Sequence, residues 1–513
     1  MTKDQLEAQH LSGDFKLKGE FMAGSTYRES VISRCEVYAG WTIPSVFPVA
    51  EINDSTEQQG DYQSVGAQAV TNLSNKIMMA LFQPSKPFFR INLSNEERNK
   101  VMGESGLTSA QVDAALAEAE REAMRELEAI NARVVMNDVM QQLIITGNTV
   151  LYMPDDGDRK LQSYSLRDFA IKRDLRGNMI KLIIREVKQV LALPDELAAT
   201  ARAHGYNDKD EVSIYTGVCR YDDEKYVVWQ ELESVAYAHT NVGKYTKDTL
   251  PWLPLTWNLV RNNDYGSGLV ETYAGDFHTL STLAETILDF TTVVTDVKFL
   301  VNPAGMTDPK VLNQAKSGSY VHGLETDIFV LTANVTDATN FLTNQFESVS
   351  RRIGAGFLLN TLVTRQAERV TAEEIKMQAH ELESSLGGVY SRLASELQIP
   401  LAKRLLKKLN KAFANVKPVI VTGLESLSRN SELDNLRAFF QDLISLADVP
   451  QQVSARIDYN NLIATLGAGH GVAFEKFLKD EKTAQADMAK AAQAQAQAAG
   501  MEAGAIESAK GNV

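Results

Sequence analysis

Cysteine is nearly missing from this 513-residue chain; Cys35 and Cys219 are the only two. That excludes a disulfide scaffold and points to a reducing compartment, and neither sulfur lies in a CxxC or Cys/His cluster. An excess of positive charge is missing too. Lys and Arg number 52 against 66 Asp and Glu, a formal charge of −14. A protein gripping nucleic acid along a broad surface needs cations to displace phosphate counterions, so any contact with nucleic acid is local or built to slip. No charge-free apolar run of about 18 residues occurs, so no membrane span is expected. The most apolar long stretch, 280–301, contains Glu285, Asp289, Asp296 and Lys298. The opening residues, MTKDQLEAQHLSGDFKLKGEF, place no apolar core behind their lysines and do not read as a signal peptide. A cytoplasm is the expected setting.

Reaction motifs are missing as well. There is no GxxxxGK[ST] loop: Gly243-Lys244 is followed by Tyr245. Gly266-Ser267-Gly268 has Glu271 where a GxGxxG fingerprint needs its third glycine. No GxSxG elbow occurs, and His380-Glu381 lacks the second His of a zinc helix. Asp155, Asp156 and Asp158 lack the rest of a calcium loop and read as a solvated turn. No catalytic residue, metal or cofactor is expected, and the chain reads as non-enzymatic.

What is there is a long, ordinary globular composition, with 44% hydrophobic residues, enough to fill three or four structural units. TIPSVFP (42–48) reads as a rigid extended segment. Apolar residues at Val65, Ala69, Leu73, Ile77 and Leu81 mark an amphipathic helix over 62–82, ended by Pro84 and Pro87. Residues 108–146 read as one long helix, deeply packed only in its second half. The period then shortens. Strands are expected at 149–153, 169–174, 178–186, 212–221 and 225–232, with hairpin turns at Leu175-Arg176-Gly177 and Asp222-Asp223. Residues 1–264 thus read as an α+β body with an antiparallel sheet, its core packed by Trp252 and Trp257.

From 269 the period is helical again. An uninterrupted helix over 269–300 would be roughly 48 Å long. It would carry Glu271, Glu285, Asp289 and Asp296 on one stripe with His278, with Lys298 opposite and Leu280, Ile287, Phe290, Val294 and Val297 behind. A compact insert (301–338) follows, with short strands expected at 319–323 and 327–332, then a helix over 339–359 and a polar connector, NTLVTRQAERV (360–370). A third long helix starts at the TxxE capping box of Thr371 and Glu374. Its apolar seam runs Ile375, Ala379, Leu382, Leu386, Val389, Leu393 and Leu397. Kinks are expected at Gly387-Gly388 and Pro400, and Lys403, Arg404, Lys407, Lys408 and Lys411 complement the dipole at its end. Shorter helices are expected over 420–478, then an Ala/Gln-rich tail. A projecting helical hairpin with a tip domain gives a monomer little. In a ring, each hairpin can bury its apolar face on the next subunit.

The segments YQSVGAQAVTNLSNKIMMALF (62–82), GNTVLYMP (147–154), LVNPAGMTDP (300–309), FLLNTLVTRQAERVTAEEI (357–375) and LGGVYSRLASELQIPL (386–401) closely resemble the portal, or head-to-tail connector, proteins of short-tailed T-seven-like bacteriophages. The resemblance runs in the same order from about residue 25 to 475. It implies the portal fold: a wing (1–264), stem helices (265–300 and 339–359), a clip (301–338), a channel loop (360–370), a supporting helix (371–411) and a crown (412–478), with residues 479–513 as a tail. It further implies a dodecameric ring at one capsid vertex of the virion, assembled in the host cytoplasm. Double-stranded DNA would be packaged through it by a terminase motor, retained, and later ejected, and the ring itself is not an ATPase. The implied partners are further copies of the chain, DNA without sequence specificity, the terminase large subunit, a tail adaptor, and scaffold and major capsid proteins.

Two surfaces then gain expected roles. Glu271, Glu285, Asp289 and Asp296 would line the bore with like charge. Arg365 and Arg369, flanked by Asn360, Thr364 and Gln366, would form cationic rings holding phosphates, which carry no sequence information; they could equally pair with Glu368, Glu373 or Glu374. Asp308, Lys310, Lys316, Tyr320 and His322 fall in the clip and would face motor and tail. Arg351 and Arg352 are expected to pair between subunits rather than touch DNA. Two alternatives stay open: another non-enzymatic ring protein of capsid or tail, and, opposed by the missing phosphate loop, a nucleotide-driven packaging motor.

Overall fold

The computed structural model describes residues 16–49, 60–82, 87–91, 93, 99, 101–103, 106, 108–130, 132–154, 161–222, 224–233, 236–295, 298–331, 336–359, 385–409, 418–420 and 441. All of these but Gln441 lie in one compact unit, Met1–Gly423. The expected channel loop, the start of the third long helix, the crown and the tail lie outside the described residues.

The chain opens with α1 (Leu17–Ala23) and α2 (Ser25–Gly40). TIPSVFP is not extended: Pro44 starts a single 3-10 turn, Pro44–Val46, because proline's fixed φ also suits the first helical position. α3 (Val65–Leu81) buries Ala69, Leu73, Ile77 and Leu81, the stripe read from its period. After β1 (Phe89–Ile91), the long helix expected over 108–146 is two helices. These are α4 (Ser109–Ala129), opened by a Thr108–Gln111 capping box, and α5 (Ala132–Thr146). α4 is not merely solvated, since Val112, Leu116, Ala119, Ala123 and Leu127 are buried along one face.

The strands follow their alternation. They are β2 (Asn148–Tyr152), β3 (Gln162–Tyr164), β4 (Phe169–Arg173), β5 (Met179–Gln189), β6 (Glu211–Asp222) and β7 (Lys225–Leu232). β3 was not read in advance, and neither were α6 (Asp195–Ala203), β8 (Ala236–Thr246) and β9 (Trp252–Thr256), whose patterns are weak. β4 to β8 form a five-stranded antiparallel meander, and β3-β2-β9 a second sheet. The β4–β5 turn falls where expected, with Gly177 at φ +83. Trp252 and Trp257 are buried in the main core. α1 seals the other face of the meander over Ile183, Tyr215 and Trp229, anchored by the buried Glu231 carboxylate, which accepts from Leu17 N at 2.8 Å and Trp229 Nε1 at 3.0 Å.

Gly266-Ser267-Gly268, inspected above for phosphate binding, is a packing device. A Cβ on Gly268 would meet the Ile144 and Ile145 carbonyls at 2.6 Å, and one on Gly147 would meet Ser267 at 2.3 Å. Asn148 staples the same crossing, donating to Gly266 O and accepting from Gly266 N, both at 2.7 Å.

The helix expected over 269–300 breaks at Tyr273 into α7 (Leu269–Thr272) and α8 (Ala274–Thr295), and the chain then turns to strand as β10 (Lys298–Val301). α8 has 22 residues, about 33 Å, and Lys298 lies on a strand rather than opposite the stripe. Residues 319–323 are not a strand; Ser319 N closes a turn onto Lys316 O at 3.0 Å. The insert holds α9 (Pro309–Gln314) and β11 (Ile328–Leu331), whose partner is β10. α10 (Thr336–Gly356) returns along α8. Helix over 385–393 passes through a π-turn at Ala394–Gln398 into α11 (Ile399–Leu409). The distortion sits just ahead of Pro400, which has no N–H to offer its own helix. Of the basic residues assigned to the dipole, Arg404 instead is buried and donates to Met153 O at 2.7 Å and Thr249 O at 2.5 Å, while Lys403 pairs with Asp248 at 2.6 Å. β12 (Pro418–Ile420) pairs with β1.

Candidate functional site: the helical hairpin and its insert

α8 and α10 form a hairpin whose base is part of the core. Phe277, Leu280, Val349, Ile353 and Phe357 are buried there, and Phe277 meets Phe357 edge-on at 5.6 Å. Arg352 does not wait for another subunit; it pairs with Asp276 across the hairpin at 2.7 Å, and Arg351 pairs with Glu347 on its own helix at 3.0 Å. Both expected inter-subunit pairs therefore have partners within one chain. The end of α10 is clamped to α3. Lys76 Nζ donates to Leu358 O at 2.6 Å and Asn72 Nδ2 donates to it at 3.1 Å, holding Leu358 at φ +56. A non-glycine residue with positive φ persists only where its surroundings fix it, so the backbone at Leu358 is held in place.

Apolar side chains are exposed farther out along the hairpin. Leu288 and Phe341 are more than half exposed. Beyond them β10 and β11 make a two-stranded ribbon, Leu300 opposite Phe329 and Phe299 opposite Val330. Phe299, Leu300 and Phe329 are 62%, 52% and 67% exposed, so apolar side chains stand uncovered on both faces of the ribbon. An isolated two-stranded ribbon is marginal in water. Ten of the 23 exposed large hydrophobic side chains among the described residues lie between 288 and 341. The strand expected over 327–332 is β11, but sequence reading missed its partner because β10 looked like the end of a helix.

The insert is organised from within by Asp327. Its buried carboxylate accepts from Met306 N at 2.9 Å, Thr307 N at 3.1 Å and Thr307 Oγ1 at 2.9 Å. A Cβ on Gly305 would fall 2.6 Å from the same group. The Thr307 hydroxyl bond, ahead of the backbone donors, holds this carboxyl below the ordinary carboxylate value. A depressed folded-state value means the stabilisation is complete above the ordinary carboxylate range and is lost as pH falls through the lower one. Asp327→Ala is expected to speed hydrogen exchange over 298–331 while leaving the meander protected. Wild type should show the same local loosening only in acid.

The expected site residues separate. Glu285 and Asp289 are exposed on α8. Glu271, on the detached turn α7, is half-buried and paired with Arg34 at 2.7 Å, so it does not continue their row along one helix. Asp296, Asn360, Thr364, Arg365, Gln366 and Arg369 lie outside the described residues. Asp308, Lys310, Lys316, Tyr320 and His322 are all exposed on the insert, Tyr320 completely; Asp308 also caps α9 by accepting from Lys310 N at 2.9 Å. Both cysteines are buried, and burial pushes the Cys35 thiol up to about 12. Among the described residues no group of three His, Cys, Asp or Glu could hold a metal ion, and no helix is long and apolar enough to cross a membrane.

The described residues form an α+β body with apolar side chains exposed along its hairpin and ribbon. Comparison with known proteins identifies the family. A family model described as bacteriophage head to tail connecting protein matches residues 16–475. The portal protein of Enterobacteria phage T3 is 35% identical over 450 residues, 84% of this chain and 83% of that one. That of Escherichia phage T7 is 32% identical over 473 residues, 89% and 88%. A chain from the neck of an empty gene transfer agent particle aligns at 10% identity and a TM-score of 0.35, covering 72% of this chain and 84% of that one. The chain belongs to the bacteriophage head-to-tail connecting protein family, the portal proteins that join capsid to tail.

Proposed function

We propose that copies of this chain close into a ring, dodecameric as in its family, whose bore conducts double-stranded DNA during packaging, retention and ejection. The observation that carries this reading is the uncovered apolar surface of the outer hairpin and ribbon. Fully burying a Leu or Phe side chain is worth roughly 1.5–3 kcal/mol, and a neighbouring hairpin is the surface of matching shape and chemistry.

In this reading residues 1–264 form the wing, 265–300 and 339–359 the stem, 301–338 the clip, 371–411 the supporting helix and 412–478 the crown. The clip, with Asp308, Lys310, Lys316, Tyr320 and His322, receives the terminase large subunit and afterwards the tail adaptor; scaffold and major capsid protein surround the ring at its vertex. Assembly takes place in the host cytoplasm. The ring hydrolyses no nucleotide and works as a conduit. Glu285 and Asp289, with Asp296, repel phosphate along the bore. The connector at 360–370, which follows the clamped Leu358, brings Arg365 and Arg369 to the duplex, with Asn360, Thr364 and Gln366 beside them.

The test separates holding from building. Arg365→Ala with Arg369→Ala is expected to assemble normally and to package, but to yield particles that lose DNA, read as the ratio of full to empty heads by electron microscopy. Full heads at the wild-type ratio would remove the connector from DNA retention.

A further inference from the structure

α8 has an unusual exposed composition. Its sequence, AGDFHTLSTLAETILDFTTVVT, contains no Lys, Arg, Asn or Gln in 22 residues. At about 100° per residue, Thr279, Thr282, Glu285, Thr286 and Asp289 share an arc of about 120°, and all five are exposed. Leu288, an exposed apolar residue among the described ones, lies about 120° round from Thr282 and between the exposed Thr291 and Thr292, so the arc from Thr279 to Asp289 is a polar flank.

The hydroxyls on that polar flank have spent their protons. Thr279 Oγ1 donates to Gly275 O at 2.8 Å, Thr282 to His278 O at 2.9 Å and Thr286 to Thr282 O at 2.7 Å. Thr291 and Thr292 donate likewise to Ile287 O and Leu288 O at 2.7 and 3.0 Å, and Ser281 donates to Asp61 at 2.6 Å. A hydroxyl has one proton and two lone pairs. Once the proton is bonded back into the helix, the group shows solvent only an acceptor. Carboxylates are acceptors as well. Of the exposed residues on the flank, His278 alone has a ring N–H to offer.

Phosphodiester oxygens are also acceptors only, and protein holds them through donors from Arg, Lys, Ser, Thr, Asn and Gln. We infer that this flank of α8, His278 apart, is a wetted, acceptor-only surface that a nucleic-acid backbone slides past without forming direct hydrogen bonds. The inference rests on the reading that α8 borders the bore, and adds hydrogen-bond chemistry to charge as the reason DNA does not stick. Threonine fits this task better than its neighbours in size. Valine would be dry but would add no donor, whereas asparagine or glutamine would present free N–H groups. The return helix shows that the restriction is local: α10 contains Asn340, Asn344 and Gln345, with Asn344 and Gln345 exposed.

The test uses full-length chain assembled into heads, with DNA translocation followed in a reconstituted packaging reaction. Thr279→Gln/Thr282→Gln/Thr286→Gln adds donors with a good helix former and is expected to slow translocation about threefold or more, since each new amide can hold a phosphate briefly. The matching Val triple variant removes the hydroxyls and is expected to stay within about twofold of wild type on the same argument. Glu285→Lys/Asp289→Lys reports whether the flank meets DNA at all. If it slows translocation while the Gln variant runs at the wild-type rate, the acceptor-only inference is wrong and the channel reading stands. If neither slows it, both are wrong. Thr286→Gln alone keeps the test open should the triple variant not assemble, and a wild-type rate for it beside a slowed lysine variant likewise overturns the inference.

Discussion

Replacing Leu300 and Phe329 together by Asp yields a folded chain that no longer closes into a ring. The two residues lie opposite each other across the β10–β11 pair, so they share one face of the ribbon. Both are more than half exposed in the single chain, and the substitution takes little from the monomer's own core. In the assembly the same face would be covered. Leu300 and Phe329 are 52% and 67% exposed, so forfeiting their coverage costs roughly 2–4 kcal/mol per interface. A closed ring repeats the loss at every joint, so the equilibrium moves to monomer by orders of magnitude. Sedimentation velocity with circular dichroism checks both halves: a native spectrum and a monomer's coefficient. Rings at wild-type concentration would mean the ribbon is no interface.

Gly147→Ala should destabilise the main core strongly, by about 2–5 kcal/mol. Gly147 has φ +75, which costs an L-residue about 1–2 kcal/mol. Its added Cβ would also stand 2.3 Å from the Ser267 carbonyl carbon and 2.5 Å from Gly268 N. Those are backbone atoms that no rotamer change can move aside, and forced overpacking of a tight core costs typically about 1–3 kcal/mol more. The crossing ties α5 to the entry of the hairpin, so the damage spreads through the main core. A domain holds only about 5–15 kcal/mol in total. The control is Gly275→Ala on α8, where no atom lies within 4 Å of the new Cβ; it should fold normally and melt no lower than wild type. Soluble expression and thermal melting of the two variants decide the matter. A soluble Gly147→Ala chain with a wild-type melting temperature would show that the crossing can relax.

The residues that read correctly in advance are those whose neighbours in sequence decide their structure. Alternation in 169–186 and 212–232 marked the strands of the meander, and Leu175-Arg176-Gly177 marked its first turn, because pattern and turn chemistry agree there. α3 was equally plain from its buried stripe. Partners distant in sequence decided the rest. Residues 298–301 continue a helical period, yet pairing with 328–331 makes them a strand. Tyr273 gives no local sign of a break, but its ring packs against Phe357 and fills the space beside Gly356. Arg352 carried no mark of Asp276, 76 positions away. Of the acidic row, Glu285 and Asp289 were legible from spacing alone. Glu271 was not, because the salt bridge to Arg34 belongs to the tertiary fold. The hydroxyl bonds along α8 follow from a helix studded with threonine, but their meaning required knowing which flank stays in water.

The central claim is that one copy leaves its hairpin unfinished and that neighbouring copies complete it around an open passage. The most direct measurement is an electron micrograph of the purified chain, with native mass on the same sample. The account predicts closed rings of uniform copy number, with a hole at least as wide as a B-form duplex, roughly 20 Å on the scale of its grooves. A monodisperse monomer at high concentration, or a ring whose centre is filled by protein, would contradict it.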